Sequence, residues 1–153
     1  MTQNNLRKEA SLSIVEDKQN NKFLMIRHHR GINKGYINFP GGKKEPDESI
    51  ESCVIRETFE ETGISIKNPV KVGYIEFPDV NFYVHIFKST EFSGTITENE
   101  AEVNAFWQDA DNIPYHEMRE ADQNFVPDIL AGKYVNRRYI YDKNFHIVDI
   151  TNL

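Results

Sequence analysis

Stretches in which apolar and polar side chains alternate recur along most of this chain, and each of them predicts a β-strand. Glycine, asparagine, aspartate and proline, which favour turns, separate these stretches. The predicted strands cover residues 10–15, 22–28, 37–39, 70–77, 82–89, 103–108, 133–141 and 144–150. The last two strands are expected to form a hairpin, and the polar residues 91–100 are expected to form a loop.

Two stretches have the helical period instead. The first covers residues 47–62, with Asp47 as the capping residue and Gly63 as the residue that ends the helix. The second covers residues 123–131, with Pro127 near its first turn. Strands before, between and after two helices predict an α/β (α+β) fold, in which helices cover a mixed sheet.

The first predicted helix places carboxylates on the same side as its apolar residues. At about 100° per residue, one stripe contains Ile50, Val54, Glu57 and Glu61. Glu60 lies on its flank. Carboxylates on an inward stripe repel one another and lose hydration, so a cation is expected to balance them, and oxygen donors suit Mg²⁺ or Mn²⁺. The alternative, a solvated acidic helix end, is disfavoured because acids near a helix C-terminus oppose the helix dipole.

Length, composition and charge narrow the class of protein. The 153 residues, 39% of them hydrophobic, predict a single domain over residues 1–153. A net charge of −6 argues against a nucleic-acid surface but not against a small phosphorylated ligand. The polar start predicts no signal peptide, and no apolar run is long enough for a membrane span. The single cysteine, Cys53, indicates the reducing cytoplasm, while no feature predicts an oligomeric state.

The segment 42–64, GKKEPDESIESCVIRETFEETGI, has fixed residues at fixed spacing. Gly42 is followed after five residues by Glu48, and after seven more by RETFEETGI. This pattern resembles the Nudix box, with Thr58 standing where a bulky aliphatic residue is usual. The resemblance implies an α/β/α sandwich in which the box forms a loop–helix–loop. It also implies metal-assisted hydrolysis of a pyrophosphate bond in a nucleoside diphosphate linked to a further group, with Mg²⁺ or Mn²⁺ as the cofactor.

The same resemblance implies roles for the carboxylates of the box. The implied metal ligands are Glu57 and Glu61, then Glu60 directly or through water, and the carbonyl group of Gly41. Arg56 and Glu48 are expected to hold the ligand carboxylates in place.

One more acidic group is expected from outside the box. We select Glu102, which directly precedes the predicted strand at residues 103–108, with Glu98 and Glu100 as competing choices. Glu102 is expected either to bind a metal ion or to take the proton from the attacking water. The general base is therefore open between Glu57 and Glu102.

Over residues 10–150 the chain is also similar to MutT-type hydrolases of 8-oxo-dGTP. In that group an asparagine before the box and an acidic pair before the second helix read the purine. Asn38 matches the asparagine and Asp122 matches the second acid. Ala121 replaces the first acid, and Arg119 stands where an aromatic ring would stack on the base. An amide offers a donor and an acceptor to a base edge, and an arginine also stacks on rings.

Three basic side chains are expected to meet phosphate groups. Lys43 follows the glycines, while Arg27 and His28 lie on a strand that leads to the same cleft. The leading prediction is hydrolysis of an oxidised purine nucleoside triphosphate to a monophosphate and pyrophosphate. Alternative substrates are ADP-ribose, for which Pro78 is a weak signal, dinucleoside polyphosphates and capped RNA. A further alternative is a catalytically silent Nudix domain that senses a ligand.

Overall fold

The computed structural model describes residues 7–97 and 102–153, which contain eleven strands and two α-helices. The strands are β1 (Lys8–Asp17), β2 (Lys22–His28), β3 (Ile37–Asn38), β4 (Gly41–Lys43), β5 (Ser65–Lys67), β6 (Val70–Phe77), β7 (Phe82–Ser89), β8 (Glu91–Ser93), β9 (Val103–Asp109), β10 (Val135–Tyr141) and β11 (Ile147–Asn152). The helices are α1 (Ile50–Thr62) and α2 (Glu120–Leu130). None of the helices in the described ranges is long and apolar enough to cross a membrane.

Within the described residues, nine of the strands form one mixed sheet. Its order is β11-β10-β6-β7-β1-β2-β3, with β4 paired to β1 and β9 paired to β2. β1 pairs in parallel with β7 and antiparallel with β2 and β4, so it lies at the centre of the sheet. The remaining two strands, β5 and β8, pair only with each other.

The two helices cover opposite faces of the large sheet. Leu12 of β1 belongs to the core that includes Phe125 of α2, whereas Val15 belongs to the core that includes Val54 of α1. Residues at odd separation along a strand point to opposite faces, so the two cores lie on opposite sides of β1. The predicted fold class, a mixed sheet between helices, is confirmed.

α1 begins later than the sequence pattern predicts, because a turn precedes it. The prediction of Asp47 as the capping residue is wrong. The cap is Ser49, whose hydroxyl oxygen accepts the Ser52 N–H at 3.1 Å. In the preceding turn, Glu48 Oε1 accepts the Glu45 N–H at 2.9 Å. The other end is as predicted, at a glycine with the left-handed φ of 83°.

α2 begins before the predicted residue 123, so Pro127 lies inside the helix and not near its first turn. The reason is a cap that the sequence reading missed. Asp122, in the first turn of α2, accepts a hydrogen bond from the backbone N–H of Arg119, the N-cap residue. This contact starts the helix three residues earlier than the proline alone suggests.

Each predicted strand is present, although the bounds of several differ, including the start of β10 at Val135, and three short strands were not predicted. The predicted bounds of β2, β6 and β7 are confirmed. β1 is longer at both ends, and β11 starts at Ile147 because Asp142 Oδ1 accepts the Asn144 and His146 N–H groups in the turn before it. β4, β5 and β8 were not predicted, and β8 lies inside the predicted loop at residues 91–100. Three residues are too few to show an alternating pattern.

Candidate active site

β4 brings two glycines into close contact with β1 and α1. A Cβ atom added at Gly41 would lie 2.0 Å from the backbone oxygen of Ser11, and one added at Gly42 would lie 2.3 Å from the carboxyl carbon of Glu57. The Gly41 N–H donates to Glu61 Oε1 at 2.8 Å. The missing side chains therefore let the carboxylates of α1 lie directly against β4.

Among the carboxylates of α1 that lie against β4, Glu61 has the negative charge that the described residues neutralise least. Burial raises its pKa to about 8, against the lowering effect of the Gly41 N–H, and the charges of Glu57, Glu102 and Glu60 add to the rise. Among the residues that the structure describes, Glu61 forms no ion pair. A partly buried carboxylate among like charges favours the binding of a proton or a cation.

Arg56 organises the remaining carboxylates of the helix. Its guanidinium group donates to Glu48 Oε1 at 2.6 Å, Glu48 Oε2 at 3.0 Å, Glu57 Oε1 at 2.8 Å, Glu60 Oε2 at 3.1 Å and the carbonyl oxygen of Lys43 at 3.1 Å. The bidentate contact holds the pKa of Glu48 well below its usual range. Burial raises the pKa of Glu57 even though Arg56 opposes the rise. Arg56 thus contacts Glu48, Glu57 and Glu60 but not Glu61, and its role in holding metal ligands stays a prediction.

The donor set fits a divalent cation. Carboxylate oxygens and a backbone carbonyl are the ligands that Mg²⁺ and Mn²⁺ prefer, and Glu61 has no cationic partner in the described part of the chain. Over residues 7–97 and 102–153, no three acidic, histidine or cysteine side chains already converge tightly enough to hold one ion. Arg56 draws Glu57 and Glu60 towards itself, while Glu61 is drawn to Gly41.

Glu102 lies just before β9, and its charge contributes to the raised pKa of Glu61. Its carboxylate forms an ion pair with Arg30, and its carbonyl oxygen accepts the His29 N–H at 2.9 Å. Glu102 is therefore on the same side of the molecule as the helix carboxylates and is exposed to solvent. The competing choices, Glu98 and Glu100, lie outside the described residues.

The predicted base-binding side chains, Asp122 and Arg119, are adjacent at the start of α2. Asp122 is buried, and burial raises its pKa to about 7 against the lowering effect of the Arg119 N–H. The guanidinium group of Arg119 donates to Asn33 Oδ1 at 3.1 Å and to the Ile32 carbonyl oxygen at 2.6 Å. It also lies 4.1 Å from the ring centre of Tyr36. Arg119 therefore stacks on a ring of this chain and anchors the loop before β3.

Asn38 and Lys43 lie on either side of the two glycines. Asn38 Oδ1 accepts the Phe39 N–H at 2.8 Å, which leaves its amide NH₂ group without a partner among the described residues. The side chain of Lys43 is exposed at the end of β4. Both residues therefore flank the strand that contacts the carboxylates.

Arg27 and His28 differ in how far their side chains are engaged. Arg27 donates to Glu117 Oε1 at 2.8 Å and to the Gly35 carbonyl oxygen at 2.9 Å, so both ends of its guanidinium group already have partners. His28 is half-buried, and burial followed by the nearby charge of Arg119 lowers its pKa. Phosphate binding by either residue stays a prediction, and Arg27 keeps further N–H donors beside these two contacts.

Two residues near the site were missed by sequence reasoning, namely Arg30 and Tyr36. Arg30 pairs with Glu102, and Tyr36 stacks against Arg119. In both cases the partners are far apart in the sequence, so no spacing rule indicates the contact. Only the run of glycine and polar residues around them marked this segment as a loop.

Comparisons with known proteins agree with the fold and the motif. The NUDIX domain family model matches residues 6–129. The oxidized purine nucleoside triphosphate hydrolase of Mus musculus is 35% identical over 119 residues, covering 75% of this chain and 76% of that protein. The protein of the same name from Danio rerio is 32% identical over 126 residues, covering 80% of each. The crystal structure of a mutator MutT protein from Bacillus halodurans has a TM-score of 0.79 and 25% identity, and covers 94% of this chain and 96% of that chain.

Proposed function

Because this chain belongs to the Nudix hydrolase family, we propose that it hydrolyses the pyrophosphate bond of oxidised purine nucleoside triphosphates such as 8-oxo-dGTP. The products are a nucleoside monophosphate and pyrophosphate. The observation that carries the proposal is the contact of Glu57 and Glu61 with the glycines of β4, where no basic side chain of residues 7–97 and 102–153 pairs with Glu61. The names of the mouse and zebrafish relatives support the choice of substrate.

Nudix hydrolases generally use divalent metals, and we propose Mg²⁺ or Mn²⁺ here. The residues that would hold the ion are Glu57, Glu60, Glu61, Glu102 and the carbonyl group of Gly41. A bound ion neutralises charge on phosphate oxygens and makes a bound water more acidic. Arg56 bonds only Oε1 of Glu57 and Oε2 of Glu60, so the second oxygen of each carboxylate is left for such an ion while Arg56 stays paired with Glu48.

The proton of the attacking water goes to a carboxylate of this chain. Glu57 and Glu102 are the two candidates, and they differ in environment: Glu57 is half-buried beside Arg56, whereas Glu102 is exposed beside Arg30. The pH–rate profiles of Glu57→Gln and Glu102→Gln distinguish them, because loss of the base removes the acidic limb of the profile. If a variant keeps this limb, the residue that was replaced in it is not the general base.

The purine is proposed to bind between Asn38 and Asp122. The Asn38 amide offers two N–H donors that have no partner in the part of the chain that the structure describes. Asp122 has a pKa near neutrality, so its carboxyl group both donates and accepts hydrogen bonds within the physiological range. Arg119 contributes by holding the loop that contains Tyr36 against α2, and it presents its own guanidinium plane beside the pocket. Lys43 is proposed to contact the phosphates.

A substrate panel tests this proposal. The purified protein is incubated with Mg²⁺ and either 8-oxo-dGTP, dGTP, ADP-ribose or a diadenosine polyphosphate, and the released products are identified. We expect the oxidised triphosphate to give the highest kcat/KM, with Glu61→Gln as the inactive control in every reaction. A preference for ADP-ribose would overturn the proposed substrate. Tight binding with no turnover of any compound would indicate a catalytically silent domain that senses a ligand.

ADP-ribose stays the alternative substrate. Pro78, its weak sequence signal, begins a 3-10 turn whose next residue, Asp79, accepts the Tyr141 N–H at 2.8 Å. The cytoplasm stays the predicted compartment, and neither a membrane nor a nucleic acid is proposed as a partner.

A further inference from the structure

Two adjoining cavities open on the part of the sheet that lies far from the carboxylates. Their volumes are about 270 Å³ and about 180 Å³, and they share Val72 and Lys88. Gly41 pairs with Leu12 in the middle of β1, whereas the first cavity borders Lys18, which follows the end of β1. At the rise of an extended strand this separation is about 20 Å. The cavities therefore have no residue in common with the candidate active site.

Lysines line both cavities in a protein that has an excess of acidic residues. Lys18, Lys67 and Lys88 border the first cavity, and Lys88 and Lys133 border the second. Lys71 also borders the second cavity, but its ammonium group bonds to His85 Nδ1 at 2.9 Å. With a net charge of −6 for the chain, such a concentration of positive charge is not explained by composition.

Few carboxylates compensate these lysines. Lys88 pairs with Glu16 at 3.1 Å, and Lys133 lies 3.7 Å from Asp128, a carboxylate that also pairs with Arg137. Glu91 also borders the first cavity and stands opposite Lys67 in the register of β5 and β8, but its carboxylate accepts a hydrogen bond from Asn68 and forms no ion pair with Lys67. In the described part of the chain, neither Lys18 nor Lys67 has an ion-pair or hydrogen-bond partner for its ammonium group.

We propose that these two cavities form a binding site for a chain of linked phosphate groups, separate from the catalytic centre. Ammonium groups bind phosphate oxygens as point charges and do not require a single orientation. Lys88 lies between the cavities, so an anion that spans both contacts the lysines of each.

The test uses inorganic tripolyphosphate in the presence of EDTA. Without divalent cations the carboxylates of α1 repel phosphates, so binding reports on the lysines alone. Binding is measured by calorimetry, and its location by the shifts of backbone amide signals in NMR spectra. We expect shifts at Val70, Val72 and Thr90 and none at Gly41 or Gly42. Shifts confined to the two glycines would overturn the proposal.

Matched double variants test the role of the lysines. Lys18→Gln combined with Lys67→Gln removes two ammonium groups that have no partner, so the fold is not expected to change. We expect this pair to weaken tripolyphosphate binding about tenfold or more, since a hydrogen bond to a charged group contributes about 1.5–3 kcal/mol. The control, Lys8→Gln with Lys143→Gln, makes the same change in net charge elsewhere and should keep the wild-type affinity. Equal losses in both pairs would show a diffuse charge effect and overturn the site.

A second ligand identifies the source of the phosphates. ATP under the same conditions carries the same triphosphate with a base that Tyr134 could contact. Equal affinity for both ligands assigns the site to the phosphate chain alone, and tighter binding of ATP assigns it to a nucleotide. Much tighter binding of a single-stranded oligonucleotide than of either would overturn the proposal in favour of a nucleic-acid surface.

Discussion

Glu61 and Asp122 are carboxyl groups that burial affects in the same direction but that have different partners. Each accepts one backbone N–H, from Gly41 and from Arg119 respectively. Other carboxylates lie around Glu61, so the ionised form of Glu61 is unfavourable until a cation binds. Asp122 has no such neighbours and closes the first turn of α2, so its carboxyl group has a structural role even without a ligand.

Glu61→Gln is expected to separate activity from stability. Turnover should fall about a hundredfold or more, because an amide is a poor ligand for a hard cation. In EDTA the unfolding temperature should stay the same or rise, since the amide keeps the Gly41 N–H contact and has no charge to desolvate. Steady-state kinetics and thermal denaturation measure the two effects. Glu51→Gln, an exposed change on the same helix, should alter neither, and normal turnover in Glu61→Gln would exclude Glu61 as a ligand.

Asp122→Asn is expected to flatten the dependence of stability on pH. The folded-state pKa of about 7 lies above the ordinary aspartate value of 3.8, so between these two pH values the folded protein holds a proton that the unfolded chain releases. Stability from this group is fully present below about pH 4 and is lost as pH rises through about 7. Urea unfolding at about pH 5 and about pH 8 should therefore show a larger difference for the wild type than for the variant. Equal pH dependence in the two proteins would mean that Asp122 titrates normally.

The contact between β4 and α1 decides how the site is built. Gly41 faces the backbone of Ser11, which cannot move without the sheet, whereas Gly42 faces the end of the Glu57 side chain, which can turn aside. The same dipeptide therefore serves two purposes. One glycine allows the strand pairing, and the other leaves room for a carboxylate.

Alanine substitutions at the two glycines should affect different properties, namely stability at Gly41 and catalysis at Gly42. Gly41→Ala should lower the free energy of unfolding by about 1–3 kcal/mol, because the added methyl group meets backbone. Gly42→Ala should leave stability nearly unchanged but lower kcat, because Glu57 must turn away to make room. Chemical denaturation and kinetics on the same preparations measure both quantities. Loss of activity without loss of stability in Gly41→Ala would contradict this division.

The elements that the sequence predicted well are those with long patterns. β2, β6 and β7 are seven or eight residues long, and their alternation fixes their bounds. β4 is three residues long and forms only because β1 offers it a partner, so no local signal exists. The starts of both helices depend on hydrogen bonds that several residues could make, and Ser49 rather than Asp47 makes the one at α1.

The candidate site was predictable where the motif fixes it and not beyond. Glu57, Glu60, Glu61 and Arg56 lie together because they share one helix face. The partner of Glu102 was not predictable, since Arg30 comes from a distant loop. The same holds for Arg119, whose stacking on Tyr36 depends on how α2 and the loop before β3 meet. Such contacts depend on tertiary packing, which short-range patterns do not contain.

In the whole molecule, the proposed cation would join segments that are distant in the sequence. Gly41, Glu61 and Glu102 belong to a strand, a helix and the start of another strand. Ligand binding to the folded state alone stabilises the entire domain by mass action. Binding of the cation is therefore expected to stabilise the whole domain against unfolding, in addition to supporting catalysis.

Mg²⁺ or Mn²⁺ should raise the unfolding temperature of the wild type and not that of Glu61→Gln. At a hundred times the dissociation constant, the expected gain in stability is about 2.7 kcal/mol. Thermal denaturation with the metal and with EDTA measures the difference. An equal rise in both proteins would show that the ion binds elsewhere.

The reactivity of the Cys53 thiol reports whether α1 is packed against the sheet. The thiol is fully buried, with Sγ 3.4 Å from Ser11 Oγ and 3.5 Å from the Gly42 carbonyl oxygen, at the contact of helix and sheet. A thiol reagent reaches it only when α1 lifts away from β4, and burial also raises the pKa of the thiol and slows the reaction. Because the chemical step is slow, the labelling rate of the native protein is expected to report the fraction of molecules in which the helix that carries Glu57 and Glu61 has left the sheet. This single atom therefore measures how stably the site is assembled, without any introduced probe.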